Sequence, residues 1–128
     1  MAEVDVLRQM EHPNILALID WTETATFLYI ALEFCETDLF EYMNHHTAVV
    51  FEEHVVAHYM RQLLDAVAYL HSHRVVHMDI KPENIMLQDT SVDAPVIKLI
   101  GFGIAQRCPE GSMLPQGHGT PLYMSPEQ

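Results

Sequence analysis

Val76-His77-Met78-Asp79-Ile80-Lys81-Pro82-Glu83-Asn84-Ile85-Met86-Leu87 is the stretch on which the reading of this 128-residue chain turns. Asp79, Lys81 and Asn84 sit between two apolar runs, and Pro82 opposes a helical continuation. A carboxylate, an ammonium and a carboxamide held this close can accept a hydroxyl proton, neutralise a phosphate and ligate a metal ion. Phosphoryl transfer needs those parts, because its catalysis is mostly positioning and charge stabilisation. The same three residues also suit a plain polar turn between strands, and at this level both readings stand.

Around this stretch the chain is 49% hydrophobic and 19% charged, with a formal net charge of −12. That hydrophobicity excludes a disordered chain, and the length suits one domain or part of one. The longest charge-free stretch, 111–126, is broken by Gly and Pro, so no membrane partner is expected. Eighteen acidic residues against six basic ones argue against nucleic-acid binding. Cys35 and Cys108 give no disulfide framework and fit a reducing, cytoplasmic compartment. Met1 leads straight into acidic residues, and no signal peptide is read there. The charge is uneven, −10 over residues 1–53 and −2 over 54–128, and the acidic part reads as solvated surface that could attract basic peptides. All five glycines follow position 100, and the only lysines are Lys81 and Lys98.

The periodicity predicts an amphipathic helix over 3–10 with Val4, Leu7 and Met10 on one face, broken by Pro13-Asn14. Strands at Ile15–Trp21 and Thr26–Leu32, joined by Thr22-Glu23-Thr24, form a predicted hairpin. Asp38 with Glu41 resembles a capping box for a helix through Asn44. A long helix is expected over 52–72, burying Val56, Met60, Leu63, Val67 and Leu70, with Glu52 and Glu53 at its positive end. Short strands follow at Val75-Val76, Ile85–Leu87 and Val96–Ile100. From Gly101 onward the chain reads as a long surface loop.

Five motifs in order make the whole chain resemble a protein kinase domain. Glu3, Leu7 and His12-Pro13-Asn14-Ile15 are similar to the end of the regulatory helix and the strand after it. Leu32-Glu33-Phe34-Cys35 looks like the hinge, with Leu32 as gatekeeper, and residues 77–84 resemble the H-R-D-x-K-x-x-N catalytic loop. Gly101-Phe102-Gly103 stands where D-F-G belongs, and Ser125-Pro126-Glu127 where A-P-E belongs. The wording is of the serine/threonine type, most similar to the calcium/calmodulin-dependent group. The resemblance implies an α+β, partial bilobal kinase-like fold: an upper-lobe remnant over 1–32, a hinge over 33–36 and a lower-lobe portion over 37–128. The last contains the catalytic loop, 77–84, and an activation segment, 101–127.

Position by position, the resemblance makes Asp79 the base toward a substrate hydroxyl, Lys81 the contact to the transferring phosphate and Asn84 a magnesium ligand. Thr120 would face the substrate hydroxyl. ATP would be received by the backbone of Glu33 and Cys35 beside Leu32, with Met86 beneath the adenine. Glu3 would be the acidic partner of the nucleotide lysine. Leu7, Leu18, His77 and Phe102 would form the hydrophobic column between the lobes, although ordinary core packing accounts for them equally.

Departures from the pattern carry equal weight. Gly101 replaces the aspartate that anchors magnesium, and Met78 replaces the arginine that pairs with a phosphorylated activation segment. No glycine-rich loop precedes Glu3 and no lysine precedes position 81, so Glu3 is expected to lack its basic partner; the segments expected after Gln128, with the basic partner of Glu127, are also missing, and the domain reads as truncated at both ends. Such a chain is expected to fold poorly alone, or to need the missing segments or another chain, because the hairpin and the long helix would be left partly uncovered. Three functions stay open: a serine/threonine kinase fragment with lost or weak activity toward a protein substrate, a pseudokinase-like module that binds a partner protein, and a partial product without independent function. Of the nine histidines, His54 and His58 have helical spacing, but no glutamate or cysteine at ligand spacing joins them, and packing roles are expected rather than zinc. The eight methionines are read as core filler.

Overall fold

Hydrophobic periodicity decides most of the elements, and tertiary pairing decides their ends. The computed structural model describes residues 3–45, 51–114 and 117–126. Helix α1, Glu3–Leu7, continues as tight turns to Met10, and Val4, Leu7 and Met10 are all buried with Val6. Strands β1, Leu18–Glu23, and β2, Leu28–Leu32, form an antiparallel hairpin. The turn lies later than expected. Thr22 pairs with Tyr29 and Glu23 with Leu28, so both belong to the strand, and Thr24 makes the turn by bonding Phe27 through its backbone and its hydroxyl. Ile15 is not part of this hairpin; it bridges in parallel to Leu99.

A two-residue strand, β3 at Thr37–Asp38, leads into α2, Leu39–His45. The Asp38 carboxylate accepts the Glu41 amide at 2.9 Å, which is an N-cap bond. Helix α3, Glu53–Ser72, is the scaffold of the lower half. Its buried line is Tyr59, Leu63, Ala66 and Leu70, with Val67 partly buried beside it. Periodicity places Val56 and Met60 in the core, yet they are 43% and 45% exposed. They lie on the neighbouring apolar stripe, which no described element covers.

Strand β4, Val75–Val76, is followed by the catalytic-loop residues, a 3-10 turn at Pro82–Asn84, and strands β5, Ile85–Leu87, and β6, Ile97–Leu99. β5 is the middle strand of a three-stranded antiparallel sheet, between β3 and β6. The segment after Gly101 is not simply a surface loop. Phe102 and Ala105 are fully buried, and β7, Gln106–Arg107, pairs with β4. Phe102 sets this course by packing its ring on His77, with centroids 4.9 Å apart. One core cluster runs through Leu7, Ile15, Leu63, Leu70, Leu87, Leu99 and Phe102. Methionine is divided between core and surface, since Met10 and Met78 are buried while Met113 is 91% exposed.

Candidate active site

Residues 77–84 are assembled by a short chain path with an unusual backbone. Met78 is buried and adopts a left-handed conformation, φ +72°, a sparsely populated region for a residue with a long side chain. That turn sends Asp79 away from the core while His77 points inward. The His77 ring bonds the Ile100 carbonyl through Nε2 at 2.8 Å and accepts the Asp79 amide at Nδ1 at 3.2 Å. Both bonds suit a neutral ring. Burial lowers the His77 pKa, the Ile100 carbonyl and Asp79 oppose this, and Lys81 adds to it.

Four of the predicted residues converge. The Lys81 ammonium lies 2.9 Å from Asp79 Oδ2 and donates to Thr120 Oγ1 at 2.7 Å. The Thr120 hydroxyl donates to Asp79 Oδ1 at 2.5 Å. Asn84 Nδ2 donates to the Asp79 carbonyl at 2.7 Å and to Oδ2 at 3.0 Å. Burial pushes the Asp79 carboxyl up, but bonds from Thr120 and Lys81, the Lys81 charge and Asn84 outweigh it, leaving the pKa below the ordinary value. Asp79 is therefore ionised at neutral pH, with both oxygens held in fixed directions. Behind this cluster lies an apolar cavity of about 490 Å³, walled by Leu70, Met78, Ile80 and Met124.

The other predicted residues lie along the hinge and α1. Leu32 ends β2 and is partly exposed; Glu33 and Cys35 are half-buried. The Glu36 amide bonds Leu87, and Asp38 pairs with Met86, so the hinge meets the strand that leaves Asn84. Burial and the neighbouring Glu33 raise the Cys35 thiol pKa, with Lys98 opposing. Glu3 Oε1 accepts the Phe102 amide at 3.2 Å, which places its carboxylate beside Gly101. Leu18 packs against the core cluster that holds Leu7 and Phe102. Glu127 and His46 lie outside the described residues.

Sequence reasoning misses two side-chain roles. The motif gives Glu33 a backbone role, yet its Oε1 accepts Lys98 Nζ at 3.0 Å and the Ala17 amide at 2.7 Å, both side chains being largely buried. An acidic residue inside residues 1–53 is thus partly buried and ion-paired, and the spacing of 65 positions between Glu33 and Lys98 carries no local signal. Gln62 on α3 is the second. Its Oε1 accepts Asn14 Nδ2 at 2.7 Å and the Ile97 amide at 3.0 Å, joining α3, the turn after α1 and β6. His58 bonds Gln62, whereas His54 faces Glu52, so the two histidines have separate partners.

Magnesium takes near-octahedral oxygen coordination, usually from one or two carboxylates plus substrate phosphates. Here residue 101 has no carboxylate, and both Asp79 oxygens are engaged by Thr120, Lys81 and Asn84. Among the described residues, no group of three or more His, Cys, Asp or Glu stands close enough together to hold a metal. The donor set does not fit a magnesium centre. No helix among the described residues is long and apolar enough to cross a membrane.

Comparison with known proteins agrees with the geometry. The protein kinase domain family matches residues 1–128. Over 98% of the chain, identity is 40% to mouse (Mus musculus) death-associated protein kinase 2 and 38% to the human protein, and the aligned part is 34% of each relative. Calcium-dependent protein kinase 5 of Plasmodium berghei is 39% identical over 98% of the chain and 22% of its own length. The chain thus spans about a third or less of the curated relatives it matches. With a family match over its full length and a mixed helix-and-sheet fold, this chain belongs to the protein kinase domain family.

Proposed function

We propose that the chain is part of a serine/threonine protein kinase domain whose parent reaction moves the γ-phosphoryl group of ATP to a protein hydroxyl, and that activity in this chain is lost or weak. The carrying observation is the divided site: Asp79, Lys81, Thr120 and Asn84 are assembled, while residue 101 offers no carboxylate. In the parent reaction Asp79 takes the substrate hydroxyl proton, being ionised and fixed for that purpose. Thr120 occupies the Oδ1 position toward which such a hydroxyl would point, and Lys81 supplies positive charge beside it. Adenine would lie against the backbone of Glu33 and Cys35, between Leu32 and Met86. The chain has no lysine before position 81, and the Glu3 carboxylate takes the Phe102 amide instead. Without a fitting cation site, these residues do not complete the machinery for the phosphoryl-transfer step.

Two free thiols, Cys35 and Cys108, support a reducing, intracellular setting. The acidic balance favours basic peptides over nucleic acid as partners. Labelled-phosphate transfer from ATP to a basic peptide tests the reading, with Asp79→Asn as control. Equal incorporation by the two proteins is expected; incorporation above the control overturns the loss of activity.

A second reading, a partner-binding module, is favoured by apolar surface. Ile19, Phe27, Leu28 and Tyr29 of the hairpin and Leu64 of α3 are all exposed. Nucleotide-dependent thermal stabilisation separates the two: a shift with ATP supports the kinase lineage's binding function, and its absence supports the binding module.

A further inference from the structure

Gly101 and Asn84 are closer than a metal site between them would require. The Gly101 backbone is left-handed, with φ +81°. A Cβ added there would lie 2.5 Å from Asn84 Oδ1, 2.6 Å from its Cγ and 2.8 Å from Nδ2. The whole carboxamide therefore occupies the space in which a side chain at 101 would begin. Conformation alone would not bar an aspartate, because Asp and Asn tolerate the left-handed region better than other residues. The occupied volume requires the Asn84 carboxamide to move first. Nor is Asn84 free to swing away without loss. Its Nδ2 donates to the Asp79 carbonyl at 2.7 Å and to the Asp79 carboxylate at 3.0 Å, and both bonds are lost if the carboxamide turns away.

We propose that the Asn84 carboxamide has closed the cation position, filling the space left by Gly101 and acting as a strut between the Gly101 backbone and Asp79. This rests on reading the Asp79 cluster as a kinase site, and it adds a consequence. Restoring the acid alone, by Gly101→Asp, creates no divalent-cation site. The new side chain must displace the Asn84 carboxamide, which releases its two bonds to Asp79.

The test uses the full chain and Mn²⁺ as the probe, with two independent readouts. In the unaltered chain, the side-chain amide resonances of Asn84 are expected to show no saturable paramagnetic broadening by Mn²⁺; saturable broadening overturns the closure. Gly101→Ala, the smallest side chain, is expected to lower the melting midpoint, and to lower it by less than half as much in an Asn84→Ala background. Equal losses in both backgrounds overturn the steric claim. Gly101→Asp is expected to remain without saturable Mn²⁺ broadening, and acquisition of it by that single change also overturns the proposal. Phosphate transfer by the unaltered chain would contradict the reading of lost activity while leaving the strut to these measurements, so the two failures are distinguishable.

Discussion

The β1–β2 hairpin and the β5–β6 pair are both short antiparallel ladders, and they are held by different means. β5 and β6 lie inside the core, with Leu87, Ile97 and Leu99 fully buried and the Asn14 and Gln62 side chains bonding the backbone of Ile97. The hairpin relies on its own ladder and the Thr24 turn, while Ile19, Phe27 and Tyr29 face outward. A two-stranded ribbon with both faces open is marginal in water. Its firm joint to the rest is the Glu33–Lys98 pair, supported by Leu18 on the core and Arg8 over the Trp21 ring at 5.5 Å. The Asp79 cluster is built beside the well-supported pair, and Leu32 and Glu33 stand at the end of the poorly supported one. That difference gives a physical reason to expect the Asp79 cluster to persist where the β1–β2 hairpin does not.

Removing the Phe102 ring should have the largest effect. Phe102→Ala takes a fully buried aromatic from the β5–β6 side and from its contact with His77, and is expected to cost about 3–5 kcal/mol in a urea melt. The joint comes next. Lys98→Met leaves the largely buried Glu33 carboxylate without its counter-charge, at a cost of about 3 kcal/mol, and adding Glu33→Gln should recover part of it. Strict additivity of the two changes would show that the pair joins nothing.

Acid should act through His77 before it acts through Asp79. Burial holds the folded His77 pKa below its ordinary 6.5, so the folded state binds fewer protons than the unfolded one. Its contribution is complete above pH 6.5 and is lost as the pH falls toward the lowered folded value. Each tenfold difference in proton affinity between the two states is worth about 1.4 kcal/mol. His12 is also lowered, by burial and Lys98 against Asp65, and adds in the same direction. The depressed Asp79 pKa contributes above its ordinary 3.8 and fades only below it. His77→Gln should flatten the upper limb of a stability profile as the pH falls below the ordinary 6.5; an unchanged slope would assign that limb elsewhere. At the small end, Phe27→Ala on the 63% exposed hairpin position should change stability by about 0.5 kcal/mol or less. A loss as large as that of Phe102→Ala would erase the contrast between the two pairs.

Much of this is legible in the chain because the deciding signals are local. The catalytic-loop motif, α3 and β5 follow from residue spacing over a few turns or a few strand positions. Thr22 and Glu23 are misplaced by their composition, because polar residues read as a turn until their partners Tyr29 and Leu28 are known. For α3, periodicity gives one stripe through Val56, Met60, Leu63, Val67 and Leu70, whereas the fold buries Tyr59, Leu63, Ala66 and Leu70, a choice made by packing across the fold and not by spacing. β3 is two residues long and has no period to detect. Glu33 with Lys98 and Asn84 against Gly101 are meetings across the fold, invisible to any window along it.

The divided site is tested most directly by calorimetric titration of ATP into the chain, once with magnesium and once with a chelator. Identical binding isotherms are expected, because the residues around Gly101 supply no cation site. A magnesium-dependent gain in affinity of about tenfold, equivalent to ~1.4 kcal/mol, would contradict it.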